Sequence, residues 1–212
     1  MATNYTSLTF GKSTSRVFYV GALLCAIGIA MLSSCNNVYT PKPKAYPRVH
    51  FPKHEYKNFS KPDCPFQFDI PVYSAVADDS VYFGGTNPNP CWLTVYIAPF
   101  NGTINLTYKE IDKNTSLQKL VEDAYKLSYK HTRKADYINE LKIDNQNGAG
   151  GMLYDVGGDA ASNVQFFLTD SSKHFIRGAL YFNNTPNSDS MAPVVDFVKE
   201  DLKQLLKSFR WR

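Results

Sequence analysis

The side chains that could carry chemistry are few, and most of them stand alone in the sequence. His50 and His54 have the spacing of two metal ligands on one helical turn, but Pro47 and Pro52 argue against a helix there, so a solvated pair is the simpler reading. Asp155, Asp159 and Asp170 flank predicted strands and could meet at one end of a meander, to hold a cation or to act as paired carboxylates. Aspartates at turns more often bond nearby backbone, which is the plainer alternative. His174 starts a strand close after Asp170, and with Asp155 and Asp159 it would make the core of a small hydrolase. Ser162 sits in Ala-Ala-Ser-Asn rather than in a Gly-x-Ser-x-Gly elbow, so nothing marks it as an activated nucleophile. Gly148-Ala149-Gly150-Gly151 precedes a strand, whereas a phosphate-cradling loop follows a strand and opens a helix. No cofactor motif is present, no metal site is expected, and the residues do not describe an enzyme.

One cysteine does have a chemical context. Cys35 follows Leu32-Ser33-Ser34 at the end of the apolar run Val17 to Leu32, which Lys12 and Arg16 precede without any acidic residue. A basic n-region, an apolar h-region and small residues before a cut are the parts of a secretory signal. The run is shorter than the ~20 residues a membrane-spanning helix needs. Leu-Ser-Ser-Cys resembles a bacterial lipobox, in which the thiol takes a diacylglyceryl group and the cysteine becomes the new N-terminus. A plain signal peptide with an accidental cysteine is the alternative. On the lipobox reading, residues 1–34 are signal and the mature protein is a lipid-anchored, periplasm-facing protein of the cell envelope. Cys25 leaves with the signal and Cys35 carries lipid, so Cys64 and Cys91 remain. In an exported domain two such thiols are most simply one disulfide, worth ~3–4 kcal/mol on the chain-entropy model. A metal site or a catalytic thiol would need partners at short spacing, and neither cysteine has them.

These residues need a scaffold, and composition bounds it. Once the signal is removed from a chain of 212 residues, the remainder is long enough for one core and not comfortably for two. The formal net charge is +4, and losing Lys12 and Arg16 with the signal halves it, too little to imply nucleic acid. Aromatics make up 14% of the chain, with 14 Tyr and 14 Phe, which suits a β-rich domain with broad amphipathic surfaces.

Residues 35–62 read as a Pro/Lys-rich tether, with Pro41, Pro43, Pro47, Pro52 and Pro62 suppressing helix and six Lys/Arg between Lys42 and Lys61. Val49, Phe51, Tyr56 and Phe59 indicate that part of it could lie on the domain as an edge strand. Lys42, Lys44, Arg48, Phe51, Lys53 and Tyr56 are the candidate contacts to a partner or to a membrane surface. The folded part is predicted over 63–212. Val72 to Val76 and Val81 to Phe83 form a hairpin around Asp78-Asp79-Ser80, and Trp92 to Ile97 and Thr103 to Ile111 form a second around Asn101-Gly102. In the latter, alternation puts Ile104, Leu106 and Tyr108 on one face. A helix runs from Thr115 to about Lys134, with Thr115-Ser116-Leu117-Gln118 as a capping box and Leu117, Leu120, Val121, Ala124, Leu127, Ser128 and His131 as its stripe. Three strands come next, Gly151 to Val156, Asn163 to Thr169 and His174 to Phe182. A last helix runs from about Ser190 to Phe209 with Pro193 in its first turn. The expectation is a single α+β domain, a twisted antiparallel sheet with two main helices packed on it.

Long runs of this sequence resemble the gliding motility lipoprotein GldD family. They are Pro41 to Tyr46, Phe51 to Tyr56, Cys64-Pro65-Phe66, Leu106 to Lys109, Asp123 to Leu127 with Lys130-His131, Tyr154 to Ser162, Gln165 to Asp170, His174-Phe175, Gly178 to Phe182 and Phe209-Arg210-Trp211. The likeness covers the mature chain and is weakest at the loop Gly84 to Pro90. It implies an envelope lipoprotein of Bacteroidota, required for gliding and for type IX secretion, with other gliding and secretion envelope proteins as partners. The family has no assigned catalytic residues, so only Cys35 as lipid acceptor carries over, with Cys64 and Cys91 as a pair. The order of elements is also similar to that of PsbP-like domains, accessory and non-catalytic, an analogy of fold alone. Two further classes stay open: a glycan- or peptidoglycan-binding module using exposed aromatics, and the small hydrolase above.

Overall fold

The computed structural model describes residues 19–21, 23–24, 48–79, 81–82, 85–86 and 89–212. Residues 19–21 and 23–24 are helical, and no helix among the described residues is long and apolar enough to cross a membrane. The rest of the signal segment, Cys35, Lys42 and Lys44 lie outside the described residues. The chain divides into Met1–Ala45 and Tyr46–Arg212, and the second unit is the folded domain.

Its centre is a seven-stranded antiparallel sheet. In chain order the strands are β1 (Tyr56–Ser60), β2 (Phe66–Pro71), β3 (Ala75–Asp78), β4 (Val81–Tyr82), β5 (Gly85–Thr86), β6 (Leu93–Ile97) and β7 (Gly102–Glu110). After helix α1 (Leu117–Tyr129) come β8 (Ala135–Asn145), β9 (Ala149–Gly158), β10 (Ser162–Thr169) and β11 (His174–Phe182), then helix α2 (Ser188–Ser208) and β12 (Arg210–Trp211). The large sheet has the order β3-β6-β7-β11-β10-β9-β8, and a small sheet has the order β1-β2-β12.

Period-two alternation decides what each face of the sheet receives. Ile104, Leu106 and Tyr108 on β7, Val164, Phe166 and Leu168 on β10 and Ile176 and Leu180 on β11 point into the main core with Phe66, Phe68 and Ile70 of β2. That core is closed by Val194, Val198, Leu202, Leu205 and Leu206 of α2, a stripe at helical spacing. Phe66, Phe68 and Phe209 stack with ring centroids 5.8–6.2 Å apart, and Trp211 meets Phe209 edge-on at 4.8 Å. Gly178 is bare because a Cβ there would overlap the Phe166 ring. Asn145, at the end of β8, donates to the carbonyls of Leu206 at 3.0 Å and Phe209 at 2.8 Å, which caps the C-terminus of α2. On the opposite face α1 packs Leu120 and Ala124 against Tyr154, Phe167 and Phe175.

The α+β architecture is as expected, and several local readings are corrected. An eleven-residue strand, β8, stands where the sequence predicts none; it is the outer strand of the sheet, largely exposed, and a register shift between Ala135 and Ile138 breaks its alternation. The run Gly148 to Gly151 belongs to the turn and first residues of the β8–β9 hairpin, with Gly148 at φ 79°. The segment 75–78 does not pair with 81–82: β3 pairs with β6, the ladder being extended by Asp79 N–H to Trp92 O, while β4 pairs with β5. The cap of α1 is Ser116, whose hydroxyl accepts from the Lys119 N–H, because the Thr115 N–H is taken by Asp112 at 2.7 Å. Helix α2 begins at Ser188 under Asn187, so Pro193 falls in its second turn rather than its first.

Candidate functional site

The densest polar arrangement gathers on α2 around one residue of its apolar stripe. Asp201 follows Val194 by two helical turns and Val198 by one, so the helix carries it inward with them, and its side chain is only 1% exposed. A carboxylate so buried is costly unless its lone pairs are filled. Three donors from two segments fill them: His54 Nδ1 at 2.7 Å from Oδ1, the Tyr56 hydroxyl of β1 at 3.1 Å from the same oxygen, and the Tyr73 hydroxyl on Oδ2. His54 also stacks on Phe197 with centroids 4.1 Å apart, and Phe51 covers Phe197 at 4.9 Å and Phe100 at 5.7 Å. Residues 51–56 are thus fastened to α2 by a buried charge ringed with aromatics.

The electrostatics follow from that packing. Burial first, and then the Asp201 charge and its hydrogen bond, push the Tyr56 phenol up to about 12. Burial and the Asp201 hydrogen bond raise Tyr73 further above its ordinary value. Both phenols therefore stay protonated and donate. A carboxylate on His Nδ1 is also how enzymes orient a general base. Among the described residues, however, no serine, threonine or cysteine hydroxyl or thiol is bonded to His54. The arrangement can fix a ring and a chain segment, and the sequence held one signal of it, an acidic residue inside an apolar helical stripe.

The other candidate groups are held apart. Asp155 of β9 forms an ion pair with Lys199 of α2 at 2.7 Å, and Asp159 accepts the Ser188 N–H at 2.7 Å near the start of α2. Asp170 lies past the opposite end of β10, where Thr169 is paired with Gly150 while Asp155 is paired with Val164. Its Oδ1 takes the N–H groups of Ser172, Lys173 and His174 at 2.8–2.9 Å. Burial alone would raise the Asp170 carboxyl, but those backbone donors outweigh it and hold it at about 2. His174 sits at that same end, with Nδ1 at 2.8 Å from the Tyr108 hydroxyl and its ring stacked on Trp211 at 5.2 Å. The three aspartates do not meet, and His174 is not near Asp155 or Asp159. Ser162 is fully buried and donates to the Val164 carbonyl. No group of three or more His, Cys, Asp or Glu among the described residues could hold a metal, His50 and His54 included.

Cys64 and Cys91 are bonded, with Cα atoms 5.5 Å apart, both buried at the edge of the main core. Of the residues proposed as outward contacts, Arg48 and Lys53 are exposed, whereas Phe51 and Tyr56 turn their rings towards α2.

Comparison with known proteins first gives a class. Residues 36–211 match a lipoprotein family model. That family is the gliding motility lipoprotein GldD family, and the chain belongs to it. No curated protein matches the chain. Among solved structures, the solution structure of cyanobacterial PsbP (CyanoP) from Synechocystis sp. PCC 6803 is similar, at 13% identity and a TM-score of 0.45, over 85% of this chain and 99% of that one.

Proposed function

We propose that this gliding motility lipoprotein acts without chemistry of its own, as a component or assembly factor of the envelope machinery for gliding and type IX secretion. In this reading a lipid on Cys35 holds it to the membrane, its domain faces the periplasm, and other gliding and secretion proteins dock on it. The observation that carries the reading is the use of its reactive groups: the side chains of Asp155, Asp159, Asp170, His174 and His54 each serve an internal contact, Asp170 holding backbone N–H groups that include that of His174. Among the described residues no nucleophilic side chain is bonded to either histidine's ring beyond the Tyr108 hydroxyl. The anchored segment supports a docking role for the basic stretch 42–61. Phe51, His54 and Tyr56 fix the backbone of residues 51–56 on α2 while Arg48 and Lys53 stay exposed, so charge is displayed beside a fixed base at little entropic cost to a partner. One test is a length-matched Gly/Ser replacement of residues 40–50 in the tagged, lipidated protein, followed by affinity purification from gently solubilised envelopes and mass spectrometry. The swap retains reach and removes chemistry. Loss of secretion-apparatus proteins from the eluate, with membrane retention unchanged, is the expected result; unchanged recovery, secretion and motility would move the interface to the folded domain.

A second reading has its own observation. Tyr96, 47% exposed, and Tyr181 flank a groove with Asn101, Thr103 and Asn183, a composition suited to sugar hydroxyls and rings. A glycan-binding module predicts retention on purified sacculi that falls when Tyr96 is changed to Ala.

A further inference from the structure

Helix α1 covers only part of its face of the large sheet, and a cavity of about 490 Å³ opens where it stops. The size is that of small-molecule sites, which run from ~300 to ~1,000 Å³. The walls divide by chemistry. Trp92 and Phe175 from the sheet side and Leu120 and Leu127 from the helix make an apolar body, with Leu127 still 36% exposed. Lys109 on β7, Lys130 at the end of α1 and Arg177 on β11 converge on it as cations. Lys126 also lines it but is already paired with Glu122 at 2.5 Å, and Asp123 is the acid of the lining. Among the described residues no carboxylate lies in ion-pair range of Lys109, Lys130 or Arg177. The opposite flank of the same helix is lined by Glu122 and Glu140 beside Tyr125 and Tyr154, so the basic character belongs to one side.

Arg177 is the decisive residue. It sits deep on the sheet, its guanidinium donates to Gln165 Oε1, and Gln165 is 0% exposed, bonded in turn to Ser128 at 3.4 Å. The Arg177 Nε is buried without a hydrogen-bond partner. Burial pulls its guanidinium below the ordinary value, against the pull of Tyr181, so the cation lies in a partly dry place and lacks a counter-ion there. A buried arginine fixed by a neutral amide, with one donor unfilled and no carboxylate within ion-pair range among the described residues, is arranged to receive an anion from outside.

We propose that this cavity binds a small amphipathic anion, a carboxylate or phosphate carried on an apolar body, with the charged group at Arg177 between Lys109 and Lys130 and the apolar part against Trp92, Phe175 and Leu127. A fatty acid and a lipid phosphate share this chemistry, and the two are separated by experiment. The lipidated full-length protein in phosphatidylcholine nanodiscs is titrated calorimetrically with octyl phosphate and with octanoate, and empty nanodiscs supply the blank. Octanol tests the apolar body alone and inorganic phosphate the charge alone. Saturable binding of either amphiphile at one site, with octanol and inorganic phosphate each at least tenfold weaker, is the expected result, and the tighter of octyl phosphate and octanoate identifies the head group. Lys109→Gln with Lys130→Gln, both on the rim, should weaken binding about tenfold or more with the melting temperature unchanged, and Arg177→Gln should abolish it. The rim pair keeps the test sharp if Arg177→Gln does not fold. Equal affinity for octanol, equal affinity for bare phosphate, indifference to the rim pair or no saturable heat would each overturn the proposal.

Discussion

The two faces of the seven-stranded sheet are finished in different ways. On one, α2 and the small sheet close a continuous apolar core from Cys64 to Phe209, stapled at its edge by the Cys64–Cys91 bond and pinned to the N-terminal segment through Asp201. On the other, α1 buries a small cluster against β9, β10 and β11, and Tyr96 and Thr103 of β6 and β7 line a groove to which α1 contributes no residue. The first face is closed by shape along the middle of the sheet, and its open groove lies at the outer strand, between β8 and Lys203, Leu206 and Lys207 of α2. The second has grooves on both flanks of α1, basic on one side and acidic on the other. Stability and recognition are thus separated across one sheet, which leaves the recognition face free to vary at low cost to folding.

The largest test of that division compares one truncation on each face. Phe68→Ala removes a ring with 0% exposure from the closed face and should cost about 3–5 kcal/mol in urea unfolding. Leu127→Ala on α1 removes a side chain that is still partly in water and should cost less than about 1 kcal/mol. Similar losses from both would show that the faces carry the fold equally. Next in size is the staple: replacing Cys64 and Cys91 together by Ser opens a loop of sequence separation 27 and should lower stability by ~3–4 kcal/mol. Binding of an anion at α1 should not change, since that cavity contains neither cysteine.

The closed face was the legible one. Ile104, Leu106 and Tyr108 alternate, and Val194, Val198, Leu202 and Leu205 repeat at helical spacing, because burying one side forces a period on the sequence. β8 escaped because an outer strand with most side chains in water has no such constraint, and its bulge shifts even the residual pattern. The α1 cap lies one residue past the position the capping-box pattern indicates, because Thr115 and Ser116 are both good caps and only the Asp112 turn decides between them. The α1 stripe is only partly buried, since Leu127 has helical spacing but faces the open cavity. Asp201 could have been suspected from its position, whereas His54, Tyr56 and Tyr73 come from more than a hundred residues away and nothing local announces the meeting.

A smaller effect sharpens the account of the joint on α2. Asp201→Asn keeps the shape but cannot accept from all three donors, and an unfilled buried donor costs about 1–3 kcal/mol. The effect should be concentrated in residues 48–60 and the turn that carries Tyr73, because their attachment depends on the carboxylate while the apolar stripe of α2 remains. Hydrogen exchange of peptides from that segment should quicken while β10 and β11 stay protected. Uniform quickening across the sheet would mean that Asp201 supports the whole core rather than one segment.

The smallest effect concerns alkaline pH and the protons of the same joint. Tyr56 titrates at about 12 in the folded protein and near 10 when unfolded, so the folded state holds its proton more tightly. A raised pKa contributes stability that is complete below the unfolded value and is lost as pH rises through the folded one, here between about 10 and 12. Two pKa units would correspond to about 2.7 kcal/mol if fully coupled, but Tyr56 is open enough to water that screening leaves less than about 1 kcal/mol. Tyr73 moves in the same direction, held by Asp201 as well. Tyr56→Phe removes one phenol and should flatten the fall in unfolding free energy between about pH 10 and about pH 12, while lowering stability slightly at about pH 8 through the lost hydrogen bond to Asp201. The slope is the diagnostic quantity, because any truncation can lower stability but only loss of a group held protonated can reduce its dependence on pH. An unchanged slope in Tyr56→Phe would take Tyr56 out of the alkaline loss and leave it to Tyr73 on the same carboxylate or to Tyr108, whose phenol burial also pushes up to about 12; Tyr73→Phe then separates the joint on α2 from the end of β7.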